Sequence, residues 1–132
     1  MLEGLPSAYG RLLNRAALIP FFVIGDPDEQ TSLELVKTAI DAGADVLELG
    51  IPFSDPVADG PTIQKADIRA MNAGMTPAKA LAFIKKVTDY KPLPIGLLVY
   101  YNLIFHYGVE KFFADFKSAG GTSVLVLSLI HI

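Results

Sequence analysis

Four short runs of strand-forming residues, separated by longer amphipathic stretches, limit most strongly what this 132-residue chain can fold into. The runs cover residues 18–24, 45–51, 95–100 and 123–127. Apolar runs of this length are typical of strands that are covered on both faces, as in a parallel sheet. The stretches between them have apolar residues at helical spacing, so the chain alternates strand and helix. This order predicts an α/β fold with a parallel sheet and right-handed crossovers.

The intervening stretches carry the start and stop signals of helices. We predict that the first long helix has Asp26 as its N-cap, Pro27 at its first position and Glu29 completing a capping box. It is expected to end at Gly43. Further helices are predicted over residues 5–14, over residues 61–72, after Thr76 and before Gly120. The residues expected on the buried faces of the long helices are Leu33, Val36, Ile40, Ile63, Ala66, Met71, Ala80, Leu81, Ile84, Val87, Val109, Phe112, Phe113 and Phe116.

Four units of this kind fit either an open doubly wound sheet or half of an eight-stranded barrel. An open sheet that binds a nucleotide is expected to have a glycine-rich turn after its first strand. Here that turn contains only Gly25, followed by Asp26 and Pro27. The boundary from helix to strand at residues 42–47 also recurs, with one residue added, at residues 119–125, a weak repeat typical of β/α arrays. We therefore predict the half barrel.

The candidate chemistry lies in residues 48–64. Strand alternation places Glu48 on one face of its strand and the leucines beside it on the other, so an acid points where apolar residues are usual. A loop rich in Pro, Asp and Gly then carries Asp55 and Asp59 across the end of the sheet. Loops that leave the carboxyl ends of buried strands are where α/β folds bind their ligands.

In the barrel interpretation, one set of residues lies inward near the carboxyl ends of successive strands. These residues are Phe21, Glu48, Leu98 and Tyr100, with Leu127 on the fourth strand. They describe an apolar pocket with one acid and one phenol, which suits a flat aromatic ligand. Desolvation in such a pocket favours the neutral form of the acid, a condition for proton transfer near neutral pH.

Each candidate also has a structural alternative. An inward acid can belong to a buried ion pair. Asp59 before Gly-Pro can be a turn residue or a helix cap, and Asp55 before proline is typical of loop structure. Tyr100 and Asn102 can be no more than a strand end and a turn. His106 has no second histidine or nearby acid at ligand spacing, so neither a metal nor a cofactor is expected.

Composition excludes several classes of protein. The formal net charge is −3 and acids alternate with bases along the chain, so neither nucleic acid nor a membrane surface is expected as a partner. There are no cysteines to form disulfides or thiolate metal sites. No apolar run approaches the roughly 20 residues that span a bilayer, and Arg11 and Arg15 precede any apolar stretch. These features predict a soluble cytoplasmic protein.

Read as a whole, the stretch E-L-G-I-P-F-S-D-P-x-A-D-G-P-x-I-Q at residues 48–64 resembles the signature of the tryptophan synthase alpha chain family. The resemblance extends from about Leu5 to Leu127 but covers only about the first half of the family's length. It passes through residues 19–21, 25–27 and 94–100 and Asn102. It implies the first half, about four β/α units, of a (β/α)8 TIM barrel.

The resemblance also implies a function. The family is a lyase of tryptophan biosynthesis that cleaves indole-3-glycerol phosphate, by a retro-aldol step, to indole and glyceraldehyde-3-phosphate. Glu48 matches the family's catalytic acid/base and Asp59 its second catalytic acid, which accepts a hydrogen bond from the indole N–H. Phe21, Leu98 and Tyr100 match substrate-binding positions that line the pocket. The implied partner is a tryptophan synthase beta chain in an alpha-beta-beta-alpha heterotetramer, and no cofactor is implied.

Two features depart from the family pattern. The family binds the substrate phosphate with loops after the seventh and eighth strands, which have no counterpart here. After Val126 it has a small residue, an acid and a Pro-containing loop, whereas this chain ends in Leu-Ser-Leu-Ile-His-Ile. We therefore expect residues 1–127 to be the N-terminal half of the barrel and residues 128–132 to be a non-native tail, such as a sequencing adapter encodes.

Three functional hypotheses follow. The first is a fragment of the lyase, inactive by itself. The second is a catalytically silent half barrel that docks on a beta chain. The third is a half barrel that self-associates to close a barrel and binds another phosphorylated aromatic. The presence of both Glu48 and Asp59 favours the first hypothesis over the second.

Overall fold

The computed structural model describes residues 15–128. The predicted helix over residues 5–14 and residues 129–132 of the predicted tail lie outside them. Within the described residues the strands are β1 (Phe21–Val23), β2 (Leu47–Gly50), β3 (Ile95–Tyr100) and β4 (Ser123–Leu127). The helices there are α1 (Glu29–Asp41), α2 (Pro61–Asn72), α3 (Pro77–Tyr90), α4 (Tyr101–Tyr107) and α5 (Val109–Ala119). None of these helices is both long enough and apolar enough to cross a lipid bilayer.

The four strands form one parallel sheet in the order β1-β2-β3-β4. The spatial order follows the chain order without a reversal, whereas a doubly wound sheet reverses at a switch point. Right-handed crossovers that all advance in one direction place every helix on the same face of the sheet. This is the arrangement of a barrel wall, so the prediction of a half barrel is confirmed.

The core lies between the sheet and its helices. Side chains of β2 and β3 that face the helices are almost completely buried, including Leu47, Leu49, Ile95, Leu97 and Val99. Full burial of each such aliphatic side chain stabilises the fold by roughly 1.5–3 kcal/mol. The helices contribute Val36, Ile40, Ala80, Phe83, Ile84, Val87, Phe112 and Phe116 to the same cluster. Strand alternation therefore separates this core from the opposite face of the sheet, which the helices leave uncovered.

The start of α1 differs from the prediction. The N-cap is Asp28 rather than Asp26, and the helix begins at Glu29. The Asp28 carboxylate accepts hydrogen bonds from both the backbone N–H and the hydroxyl of Thr31, at 2.8 and 2.9 Å. Asp26 instead pairs with Arg69, at 2.7 and 3.0 Å. The predicted capping box is wrong. Asp26 forms a tertiary ion pair with Arg69, and Asp28 caps the helix instead.

The buried face of α2 also differs from the prediction. Ala66 is buried as expected, but Ile63 and Met71 are only partly buried. The fully buried neighbours are Asp67 and Ala70. The helix is therefore rotated towards its small and acidic residues, and an acid occupies a position in the core.

Two further differences concern the segment after β3. The helix α4 was not predicted, because seven residues are too few to establish a helical period. In α5 the expected core positions Phe112 and Phe116 are buried, whereas Val109 and Phe113 are 42% and 40% exposed. The third strand itself has the predicted bounds of residues 95–100.

Candidate active site

The face of the sheet opposite the helices collects the residues singled out in the sequence. The strand register places Phe21 beside Glu48, Glu48 beside Gly96, and Gly96 beside Ser123. Leu98 and Tyr100 follow on the same face of β3 because side chains alternate along a strand. All five predicted pocket residues, Leu127 included, therefore lie on one face of the sheet.

Glu48 lies in an open cleft on this face. The cleft has a volume of about 340 Å³, and its walls include Ile19, Val46 and Leu125. The glutamate is half-buried, and within residues 15–128 it has no salt-bridge partner. Within the described part of the chain, Glu48 therefore does not form the buried ion pair that was its structural alternative. A carboxyl group in apolar surroundings and without a counter-ion can both release and accept a proton.

Glycine at position 50 allows an aromatic ring to lie across the floor of this face. A Cβ atom at Gly50 would lie 2.9 Å from Cζ of Phe21, closer than real Cβ contacts. The ring of Phe21 therefore covers the end of β2, two residues beyond Glu48 and on the same face. This glycine sits within the motif, but nothing in the strand pattern indicated its role.

Tyr100 joins the end of β3 to the acidic loop, which we define as residues 51–60. Its hydroxyl donates to Oδ2 of Asp59 at 3.0 Å and accepts from the backbone N–H of Ala58 at 3.1 Å. Its ring stacks on Phe53, with the centroids 4.7 Å apart and the planes 26° apart. Burial, followed by the hydrogen bond to Asp59, raises the pKa of Tyr100, so the phenol remains a donor at neutral pH.

Asp59 is held at three points. Its side chain accepts from Tyr100, its backbone N–H donates to the carbonyl of Pro56 at 3.0 Å, and its carbonyl accepts from Nε2 of Gln64 at 2.8 Å. The N-cap of α2 is Gly60, which has no side-chain cap bond. The carboxylate of Asp59 is therefore not used as a helix cap, although its backbone does form a turn. It is aimed at the sheet face instead.

The two acids, Glu48 and Asp59, lie at different levels along the strands. Glu48 is level with Gly96, whereas Asp59 is bonded to Tyr100, four residues further along β3. At about 3.3 Å per residue, the backbone of Tyr100 lies roughly 13 Å further along the sheet than that of Glu48. Leu98 lies between the two levels on the same face. The arrangement is an apolar floor with an acid near each end, which suits an aromatic ring carrying a polar side chain.

The other candidates do not join this group. Asp55 is exposed, accepts from the Ser54 hydroxyl at 3.0 Å and belongs to the structure of the acidic loop. Asn102 lies exposed on α4, as does His106. Within residues 15–128 no three His, Cys, Asp or Glu side chains are grouped so that they could hold a metal ion.

Sequence reasoning missed two residues beside the site. Phe53 is buried against Tyr100. Asp67 is only 4% exposed, and burial, with the charge of Asp59 adding to it, raises the pKa of this carboxyl to about 6. A signal for Asp67 was present, because it lies four residues after Ile63 and three before Ala70 on the inward face of a helix.

A family model described as "Tryptophan synthase alpha chain" matches residues 9–130. The chain belongs to the tryptophan synthase alpha chain family. The resemblance seen in residues 48–64 is therefore confirmed over almost the whole chain.

Curated tryptophan synthase alpha chains give the extent of the similarity. The chain is 50% identical over 125 residues to that of Methanothermobacter thermautotrophicus, covering 92% of this chain and 46% of the relative. It is 48% identical over 128 residues to that of Escherichia coli, covering 95% of this chain and 48% of the relative. The chain thus spans about half the length of the curated relatives it matches.

Solved structures agree with the fold. A protein from Aquifex aeolicus VF5 superposes with a TM-score of 0.90 at 36% identity, over 96% of this chain and 51% of that one. The tryptophan synthase alpha subunit of Legionella pneumophila superposes with a TM-score of 0.87 at 32% identity, over 93% and 48%. The four strands described here thus form half of a TIM barrel, and the chain matches about half of each of these two proteins.

Proposed function

We propose that this chain carries the proton-transfer residues of a tryptophan synthase alpha-type lyase, which cleaves indole-3-glycerol phosphate to indole and glyceraldehyde-3-phosphate. The observation that carries the proposal is the apolar floor of Phe21 and Leu98, with Glu48 near one end and the Asp59–Tyr100 pair at the other. Family membership supplies the reaction. Glu48 and Asp59 are the proposed catalytic residues, and Phe21, Leu98 and Tyr100 the proposed substrate contacts.

The chemistry of the retro-aldol step requires two proton movements. A proton must reach C3 of the indole ring, and the hydroxyl next to the ring must lose its proton as the carbon–carbon bond breaks and an aldehyde forms. One proton is added and one is removed, so a single acid/base residue balances the reaction. Glu48, half-buried and without a counter-ion among residues 15–128, is suited to this exchange.

Asp59 has a different proposed role. When C3 is protonated, positive charge develops on the ring nitrogen. A carboxylate held in advance by Tyr100 can accept the indole N–H and stabilise that charge without reorganising. Because the raised pKa of Tyr100 keeps its phenol protonated, the phenol continues to donate to Asp59 throughout the reaction.

The rest of the site is proposed to come from segments that correspond to the second half of the relatives. The uncovered sheet face is open at β4, where Leu125 is 57% exposed. In the family, phosphate is bound by loops after the seventh and eighth strands. We infer that this chain alone binds the substrate too weakly for turnover, because phosphate contacts supply both affinity and positioning.

A protein partner is also proposed. Large apolar side chains are exposed beside the active-site end of the sheet: Val57 of the acidic loop is 66% exposed, and Phe105 and Tyr101 of α4 are 68% and 38% exposed. Exposed apolar side chains of this kind favour a protein interface. In this family the partner is the beta chain, and from family membership we also propose the alpha-beta-beta-alpha assembly and a cytoplasmic location. The net charge of −3 favours neither nucleic acid nor an anionic membrane as a partner.

Complementation tests the proposed activity. The full 132-residue chain is expressed with and without the C-terminal half of the Escherichia coli relative, and indole release from indole-3-glycerol phosphate is measured. We expect indole only from the mixture, and almost none when the chain carries Glu48→Gln. A mixture that forms a folded complex but releases no indole would overturn the proposal. If that complex still bound a beta chain, the silent docking module would be the better hypothesis.

A further inference from the structure

Gln64 is the last residue of the 48–64 stretch, and the proposed reaction gives it no role. It is the fourth residue of α2, which begins at Pro61. Side chains of an α-helix lean towards its amino end, so a long side chain in the first turn reaches back over the segment that precedes the helix. For Gln64 that segment is the end of the acidic loop.

Two backbone carbonyl oxygens of the acidic loop accept hydrogen bonds from this side chain. Nε2 of Gln64 donates to the carbonyl of Asp59 at 2.8 Å and, with a longer bond, to that of Pro56 at 3.4 Å. The backbone N–H of Asp59 donates to the same Pro56 carbonyl at 3.0 Å, so residues 56–59 form a turn. The amide nitrogen of Gln64 therefore bridges the first and last residues of this turn. The position requires a donor, because both oxygens that it meets are acceptors.

The sheet holds the same turn from the other side. The hydroxyl of Tyr100 accepts from the backbone N–H of Ala58 at 3.1 Å and donates to Oδ2 of Asp59 at 3.0 Å. Tyr100 thus holds the side chain of Asp59, whereas Gln64 holds its backbone. Both contacts are needed to define the position of the carboxylate, because a side chain held only at its tip leaves the backbone free to move.

The helix that carries Gln64 is fixed independently of the acidic loop. Ala66 and Ala70 of α2 are buried in the core. Arg69 pairs with Asp26, in the turn after β1, at 2.7 and 3.0 Å. A side chain places another group precisely only when its own support is rigid. These contacts make α2 such a support for Gln64.

We propose that Gln64 is a positioning residue: by donating to the carbonyls at both ends of the 56–59 turn, it fixes the backbone of Asp59 and so the place where the carboxylate meets the indole N–H. The importance of this place rests on the proposed function, whereas the bridge across the turn does not. Because positive charge on the ring nitrogen develops only towards the transition state, loss of the bridge should lower kcat more than it raises KM.

Kinetics of the complex between the full chain and the C-terminal half of the Escherichia coli relative test the proposal. Gln64→Met keeps the length and the helix propensity of the side chain but has no donor, and Gln64→Glu keeps the shape but places oxygen against the two carbonyls. In both variants kcat should fall by about tenfold or more, with KM within about threefold of the parent. Gln30→Met is the matched control, because Gln30 is exposed on α1 and donates to Glu34 at 3.1 Å; its kcat should stay within about twofold.

A double substitution separates positioning from a general effect on the fold. If Gln64 acts through the carboxylate of Asp59, Gln64→Met should lower kcat by less than about twofold in a chain that already carries Asp59→Asn. In the parent chain the same substitution should cost the full factor. An equal fall in both backgrounds would show that Gln64 acts independently of the Asp59 carboxylate, and would overturn the proposal.

Hydrogen exchange of single amides, measured by NMR on the full chain, tests the bridge without substrate. Protection is followed at Ala58 and Asp59, whose amides are both hydrogen-bonded in the turn. Leu97, buried in β3, is the internal reference. Relative to Leu97, both amides should lose about fivefold of their protection in Gln64→Met and in Gln64→Glu, and none in Gln30→Met.

The exchange results and the kinetic results fail separately. Unchanged protection of Ala58 and Asp59 in both Gln64 variants would show that the side chain does not hold the turn, and would overturn the proposal even if the complex releases indole. An equal loss of protection at Leu97 would also overturn it, because the effect would then be on the whole fold. If the parent complex releases no indole but the exchange results are as expected, the proposed function is rejected and the bridge is supported.

Discussion

The substitution Asp67→Asn is expected to stabilise the protein at neutral pH, because it removes the charge from a buried side chain. The pKa of Asp67 is raised from 3.8 to about 6 in the folded chain. A folded-state pKa above the unfolded value means that this group favours folding below about pH 4, and that the benefit is lost as pH rises through 6. Since one pKa unit corresponds to about 1.4 kcal/mol, the ionised carboxylate costs about 3 kcal/mol at pH 7.5.

The free-energy cost of the Asp67 carboxylate depends on pH. Linkage with pKa values of 3.8 and about 6 gives a cost of less than about 1 kcal/mol at pH 4 and of about 3 kcal/mol at pH 7.5. Asparagine has nearly the same shape and does not titrate, so its advantage over aspartate should grow by roughly 2 kcal/mol between these pH values. The carboxylate is 4% exposed, so solvent screening reduces the effect little.

Urea denaturation followed by far-ultraviolet circular dichroism measures the difference, with both proteins at one concentration. With a slope of about 2 kcal/mol/M, the midpoint at pH 7.5 should shift upward by about 1 M or more. Asp89→Asn is the matched control, because Asp89 is 61% exposed and, among the residues that the structure describes, pairs only with Lys85 on the surface of α3. It should change stability by less than about 1 kcal/mol at either pH. An Asp67→Asn protein no more stable than wild type at pH 7.5 would refute the reasoning.

The remaining predictions concern the site and the open sheet face. In a completed barrel, Glu48→Gln should lower kcat by about 10² or more with the fold retained, and a rate within about threefold of the parent would make this acid structural. Asp59→Asn should also lower kcat, since the amide can accept the indole N–H but brings no negative charge, and binding of an unreactive substrate analogue should survive. Tyr100→Phe, which keeps the stack on Phe53 but not the hydrogen bond, should lower kcat less than Asp59→Asn does. The chain alone should associate at micromolar concentration, because Leu125 is 57% exposed and β4 has an unpaired edge within the described residues; a dilute monomer in analytical ultracentrifugation would contradict this.

Much of the fold followed from the local pattern of residues. The period of two in residues 45–51 and 95–100 decided which side chains share a face, and the structure has Glu48, Leu98 and Tyr100 together as that period requires. Glycines and the Thr76-Pro77 pair likewise marked helix ends correctly. These features are local, because alternation and capping depend on residues a few positions apart.

Other features depend on which elements become neighbours. Periodicity alone left an open sheet and a half barrel both possible, so the half barrel was predicted from the lack of a glycine-rich turn and from the resemblance, and the strand order confirmed it. The bond between Tyr100 and Asp59 joins residues 41 positions apart, and the pairing of Asp26 with Arg69 joins residues 43 apart. Asp26 takes part in that second contact, and the helix cap is Asp28 rather than the predicted Asp26.

Asp67 separates what the sequence determined from what only the tertiary structure decided. The predicted buried face of α2 did not include it, although Asp67 lies four residues after Ile63 and three before Ala70. Whether that face was solvent or core depended on how the helix docks against β1 and the acidic loop. Only the tertiary structure buried the carboxyl group beside Asp59, and burial is the physical cause of its raised pKa. The sequence determined which residues could act together, and the docking of elements distant in the chain decided which of them do.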